Sequence, residues 1–164
     1  MSRASPRRTS GLCDARRSTS CCGVVSLSDA DSLGDNVERM DITSVVATAY
    51  GGPEVLSVVE SRLNDPAPGE VLIEVRAAAT NPVDYKLYSG AYGEDPSNLP
   101  LPLGFEAAGV VVGINGEPEG PGGRIALGDE VIAYSATGAY ASGLLVEADN
   151  VLPKPTNMSF EEAS

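Results

Sequence analysis

One stretch near the middle of the chain restricts its fold more than any other. Leu103-Gly104-Phe105-Glu106-Ala107-Ala108-Gly109-Val110-Val111-Val112-Gly113 sets a lone carboxylate among small residues just ahead of a valine run, and Gly128-Asp129 later precedes Glu130-Val131-Ile132-Ala133-Tyr134. Small residues beside β-branched ones describe a strand that enters a packed sheet with its backbone closely approached. Glu106 is therefore expected at the edge of a cleft. Gly128-Asp129 is a tight-turn signal, and the β-rich segment after it is the next strand. The connecting residues 115–123 are nearly all turn formers, so they are expected to be exposed and mobile.

The rest of the chain from Met40 onward supports a mainly β architecture with short helices. Residues 43–50 and 54–60 are β-branched runs separated by Gly51-Gly52-Pro53, which predicts a hairpin-like pair. Pro66-Ala67-Pro68-Gly69 turns the chain into residues 70–76, whose alternation puts Val71, Ile73 and Val75 on one core face. Asn81 then suits a helix N-cap, Pro82 the first helical position and Gly90 a terminator, for a helix of about two turns. Residues 140–147 predict one more long strand, stopped by Pro153-Lys154-Pro155. Short strands punctuated by Gly and Pro argue for a partly open barrel. No internal repeat is present.

Four motifs in order carry a family resemblance: Asn81-Pro82-Val83-Asp84, Gly104-Phe105-Glu106-Ala107-Ala108-Gly109, Gly128-Asp129-Glu130-Val131 and Gly138-Ala139-Tyr140-Ala141. Together they resemble the N-terminal, GroES-like catalytic domain of the medium-chain dehydrogenases/reductases. Within that superfamily the likeness is to the zinc-independent quinone oxidoreductase and enoyl reductase branch, and it spans residues 40–164. The resemblance implies the GroES-like partly open β-barrel. It also implies NADP(H) in the full-length family, with hydride transfer from NADPH to a quinone or enone, and it allows a homodimer for a full-length form.

Zinc can be judged without the family. Zinc sites are built from Cys, His and carboxylates, yet the chain has no histidine and its three cysteines, Cys13, Cys21 and Cys22, all precede the domain. Where zinc-dependent relatives carry a histidine before the glutamate this sequence has Phe105, and where they carry a cysteine near the short helix it has Asn81 and Pro82. No zinc is expected.

The candidate site residues lie on the short helix and the loop after it. The Asn81 amide can cap its helix or donate to a nicotinamide or substrate carbonyl. Asp84 falls at the third helical position, where a carboxylate favours the helix dipole and its role is structural. Lys86 reads as a solvated charge, but the resemblance sets it beside the cofactor cleft. The resemblance also matches Tyr92 to a tyrosine that lines the active site, so Tyr92 is the expected catalytic, substrate-facing hydroxyl. Asn81 and Lys86 are the expected cofactor contacts. Without a metal, the growing oxyanion must be met by hydroxyl, amide or backbone donors, each worth about 10²-fold in rate.

A dinucleotide-binding domain would need roughly another 150 residues, and a Rossmann domain is not expected within this chain. The glycines after residues 110–112 do not follow Gly-x-Gly-x-x-Gly, and Pro118 and Pro121 forbid the helix that such a motif must open. Residues 156–164 read as the start of a truncated linking helix. Ser159 and Glu162 are spaced as a capping box, and a helix cut after about one turn is expected to fray unless more sequence follows. Tight binding of NADP(H) is accordingly not expected of the chain by itself. A non-catalytic GroES-like interaction module is the alternative function.

Residues 1–39 differ in kind. Arg3, Arg7, Arg8, Arg16 and Arg17 stand among Ser and Thr with Asp14 the only acid before position 20, which predicts disorder. Such a composition suits an organelle transit peptide, and a gene-model artefact ahead of Met40 suits it equally. Cys21-Cys22 is a weak palmitoylation signal. The domain, residues 40–155, is acidic, with Arg62, Arg76, Lys86, Arg124 and Lys154 facing far more Asp and Glu. Nucleic acid is therefore not an expected partner. No apolar run approaches a membrane span, so a cytoplasmic protein is expected, or a mitochondrial or plastid one if residues 1–39 are a transit peptide.

Overall fold

The computed structural model describes residues Met40–Ser164; the expectations for residues 1–39 lie outside them. Ten short strands and two helices follow one another as β1 (Met40–Ala47), β2 (Leu56–Leu63), β3 (Glu70–Ala78), α1 (Pro82–Tyr88), β4 (Leu101–Pro102), β5 (Ala107–Ile114), β6 (Glu119–Gly120), β7 (Gly123–Arg124), β8 (Glu130–Ala133), β9 (Gly143–Glu147), β10 (Val151–Pro153) and α2 (Phe160–Ala163). Among the described residues no helix is long and apolar enough to cross a membrane.

The strands form a five-stranded antiparallel sheet in the order β10-β8-β5-β3-β9, a three-stranded sheet β2-β1-β4 and the small hairpin β6-β7. The larger sheets are stitched together but not closed. A bridge joins Ser44 to Ala141, while the Val45 N–H donates to the Tyr140 carbonyl and the Ser142 N–H to that of Thr43. The result is the mainly β, partly open, GroES-like architecture.

The first pair, β1 and β2, is in full antiparallel register from Met40 opposite Leu63 to Ala47 opposite Leu56. It is displaced from the expected runs because Pro53–Val55 winds into a 3-10 turn instead of extending. In β3, Val71 and Ile73 are wholly buried and Val75 packs against the same core. Leu72, on the opposite face, is buried too, at 6% exposure. The alternation is therefore covered on both sides over this part of the strand. The β9 strand is shorter than expected and starts at Gly143. The residues ahead of it are bonded elsewhere, since the Gly138 and Ala139 N–H groups donate to the Gly104 carbonyl and the Tyr140 N–H to that of Leu103.

Residues 115–123 are mostly exposed, as their composition predicts, yet they include the β6 strand and the start of β7. Pro118 is buried, its carbonyl accepts from the Ile125 N–H, and Asn115 Nδ2 donates to the Pro66 carbonyl at 3.1 Å. Turn-forming residues here build a pinned hairpin, not a free loop.

The terminal helix is docked. Its capping box is formed, with Glu162 Oε2 accepting from the Ser159 N–H at 2.9 Å and Ser159 Oγ accepting from the Glu162 N–H at 3.2 Å. Ala163 is buried. The anchor is Lys154, whose side chain is 4% exposed. Lys154 Nζ donates to the Met158 carbonyl at 2.6 Å and to the Pro155 carbonyl at 3.2 Å, pairs with Glu130 Oε2 at 3.0 Å and lies 5.1 Å from the Phe160 ring centroid. Glu130 is half exposed, so the ion pair contributes less than about 1 kcal/mol. The bonds from a charged donor to two carbonyls contribute more, about 1.5–3 kcal/mol. Lys154→Met is accordingly expected to lower stability by about 2 kcal/mol and to speed amide exchange in α2. Glu130→Gln should change stability by less than about 1 kcal/mol, both read from denaturant midpoints.

Candidate functional site

The site grows from the start of α1. Asn81 is extended at the N-cap, Pro82 occupies the first helical position, and Ser89 closes the helix before Gly90, whose φ is +77°. Asn81 and Asp84 stand in a capping-box arrangement, and the half that closes is Asp84's, whose Oδ2 accepts from the Asn81 N–H at 2.8 Å. The Asp84 N–H in turn donates to the Asn81 backbone carbonyl at 3.0 Å.

Capping is the smaller part of what Asp84 does. The residue is 4% exposed, and its Oδ1 accepts from the Gly104 N–H at 2.9 Å. Its Oδ2 also accepts from the Tyr140 hydroxyl at 2.8 Å. Three donors from three parts of the chain thus satisfy one buried carboxylate, as a buried charge requires. Gly104 takes part for a steric reason. Its φ is +87°, and a Cβ there would lie 2.6 Å from Tyr140 Cδ1 and 2.7 Å from Tyr140 N, so only glycine lets the Tyr140 ring lie against this backbone.

Next to this clasp, Asn81 Nδ2 donates to Glu106 Oε2 at 3.1 Å, and the Glu106 carbonyl accepts from the Ala79 N–H. Both Asn81 and Glu106 are half-buried. The Asn81 side chain therefore bonds to a side chain 25 residues away, beyond the two roles that its position alone offered.

The other expected site residues lie outside this cluster. Lys86 is half-buried in the last turn of α1, where a cation complements the helix dipole. Tyr92 sits in the turn after Gly90 and is 65% exposed. Tyr140 is the residue that local pattern did not single out; the signal for it was the Gly138-Ala139-Tyr140-Ala141 motif. Burial, and then the Asp84 carboxylate that its hydroxyl contacts, push the Tyr140 phenol above its ordinary pKa of 10.0. Tyr140 therefore keeps its proton and serves as a fixed donor. Among the described residues no three His, Cys, Asp or Glu side chains gather as a metal site would need.

With this geometry in hand, comparison with known proteins is decisive. Residues 67–156 match the alcohol dehydrogenase GroES-like domain. The chain belongs to that family. Within it, the GroES-like chain is 42% identical over 116 residues to quinone oxidoreductase 1 of Escherichia coli, covering 70% of this chain and 34% of that protein. It is 38% identical over 129 residues to a trans-enoyl reductase of Aspergillus terreus, covering 70% of this chain and 39% of that protein. The crystal structure of E. coli quinone oxidoreductase complexed with NADPH superposes with a TM-score of 0.63 at 36% identity, over 74% of this chain and 36% of that one. The chain thus spans 34–39% of the length of these curated relatives.

The clasp sets two expectations. Asp84→Ala strands the buried Gly104 N–H and two half-buried donors and should cost about 3 kcal/mol, whereas Tyr140→Phe leaves two N–H groups on the carboxylate and should cost about 1.5 kcal/mol. Because the folded-state pKa of Tyr140 is raised, its contribution is fully present below the ordinary value of 10.0 and is lost as pH rises toward the folded value. Denaturant midpoints of the wild type should fall on this alkaline limb, and Tyr140→Phe should flatten the decline.

Proposed function

We propose that this chain supplies the substrate side of an NADPH-dependent quinone oxidoreductase or enoyl reductase working without zinc, with Tyr92 facing the substrate and Asn81 and Lys86 facing the cofactor. The observation that carries the reading is the Asn81 amide, half-buried at the start of α1 and tied to Glu106 at 3.1 Å. It is supported by the likeness to proteins named as quinone oxidoreductase and trans-enoyl reductase, one of them with NADPH bound.

The donors suit the nicotinamide end of such a cofactor. An amide N–H, an ammonium and a phenol all match carbonyl and hydroxyl oxygens. No glycine-rich turn opens an α-helix among the described residues, which is the arrangement that receives a pyrophosphate. Tight NADPH binding by the chain alone is therefore not part of the reading. When bound, the cofactor supplies the hydride. The chain's own task is to hold the acceptor and meet the negative charge growing on its oxygen. For that the Tyr92 hydroxyl is the named donor, worth about 10²-fold in rate. The absence of imidazole from the whole sequence, with Phe105 and Asn81 where zinc-dependent relatives carry ligands, supports chemistry without zinc. The reading takes residues 40–155 as the GroES-like domain and 156–164 as the start of a linking helix. It places the protein in the cytoplasm with a small-molecule partner and no nucleic acid.

Titrating the 164-residue chain with NADPH, followed by amide NMR, should give a Kd of about 1 mM or weaker. The shifts should centre on Asn81 and Lys86. Shifts confined to other parts of the domain would remove the reading.

A further inference from the structure

The Asn81–Glu106 contact carries information about direction. An ionised carboxylate can only accept hydrogen bonds, so an amide that meets it must turn its nitrogen toward it. Nδ2 of Asn81 faces Glu106 Oε2 at 3.1 Å, and the helix start makes no claim on the side-chain oxygen, because the Asp84 N–H donates to the Asn81 backbone carbonyl. Reversing the amide would put its oxygen against the Glu106 carboxylate, two acceptors face to face with no proton between them. A carboxamide has two N–H donors, and with one committed to Glu106 a single donor is left for anything that approaches.

We infer that Glu106 is a positioning residue that locks the Asn81 amide in one orientation, so that Asn81 meets its ligand as a hydrogen-bond donor and selects an acceptor oxygen, a carbonyl or a hydroxyl. Only the identity of that ligand as the nicotinamide cofactor rests on the function proposed above. The orientation itself follows from the chemistry of the pair. Glu106 is also well placed for the task. Its carbonyl is bonded to the Ala79 N–H, and Gly104, two residues earlier, is held by Asp84 at 2.9 Å. Its backbone is therefore fixed to the same helix start that carries Asn81.

The test follows the side-chain N–H pair of Asn81 by NMR in the ligand-free 164-residue chain, with exposed Asn157 as internal reference. A hydrogen bond to a charged acceptor should slow exchange at Asn81 by about tenfold relative to Asn157. Glu106→Gln, whose amide oxygen can still accept, should keep most of that protection, and Glu106→Leu should abolish it. An Asn81 pair that exchanges as fast as Asn157 in the wild type, or that stays protected in a folded Glu106→Leu chain, overturns the inference. If Glu106→Leu does not fold, the wild-type comparison and Glu106→Gln decide. NADPH at about 10 mM, well above a 1 mM Kd, should then shift the Asn81 pair in the wild type and in Glu106→Gln but not in Glu106→Leu. Absence of a shift in all three removes the cofactor assignment and leaves the ligand-free rates to judge Glu106.

Discussion

A single buried carboxylate holds the site together. Asp84 carries charge where almost no water reaches it, and it is tolerable there because α1, the chain entering β5 and the segment leading to β9 each give it a donor. The dependence runs both ways. Remove any one of those segments and the carboxylate loses a partner; remove the carboxylate and the three segments lose their common point. The geometry of Asn81 and Glu106, which face each other across this junction, is inherited from it.

Beside the clasp, the segment ahead of β9 divides its hydrogen bonds between the Leu103–Gly104 turn and β1. Residues 138–140 give their N–H groups to Leu103 and Gly104, Ala141 bridges to Ser44, and β9 itself begins at Gly143. The absence of a side chain at Gly104 lets Tyr140 lie directly against this turn. That fit keeps a polar junction, instead of a continuous ladder, beside the start of α1.

Much of this was legible in the sequence, for identifiable reasons. The helix start at Asn81-Pro82 and the Gly128 turn are local signals, set by backbone preferences within a few residues, and both appear where expected. The core face of β3 follows from its period, but burial of Leu72 does not, because a period says nothing about what covers the second face. The place of Asp84 at the third helical position points to the helix dipole, because a local pattern covers only its own helix. Its bonds to Gly104 and Tyr140 span 20 and 56 residues, and no local pattern encodes them. The exposure of residues 115–123 follows from their turn-forming composition, but the anchors at Pro118 and Asn115 do not, because composition describes how the chain bends and not what the bend meets.

The anchoring of Lys154 has a practical corollary in covalent chemistry. The chain has only two lysines, Lys86 and Lys154, and they differ in what engages their ammonium groups. Lys154 has its ammonium committed to two carbonyls and a carboxylate, while Lys86 is half-buried on α1. An amine-selective acylating reagent therefore discriminates between them in the folded chain, modifying Lys86 and sparing Lys154. Modification of the second lysine becomes a chemical gauge of how often the terminal helix lets go.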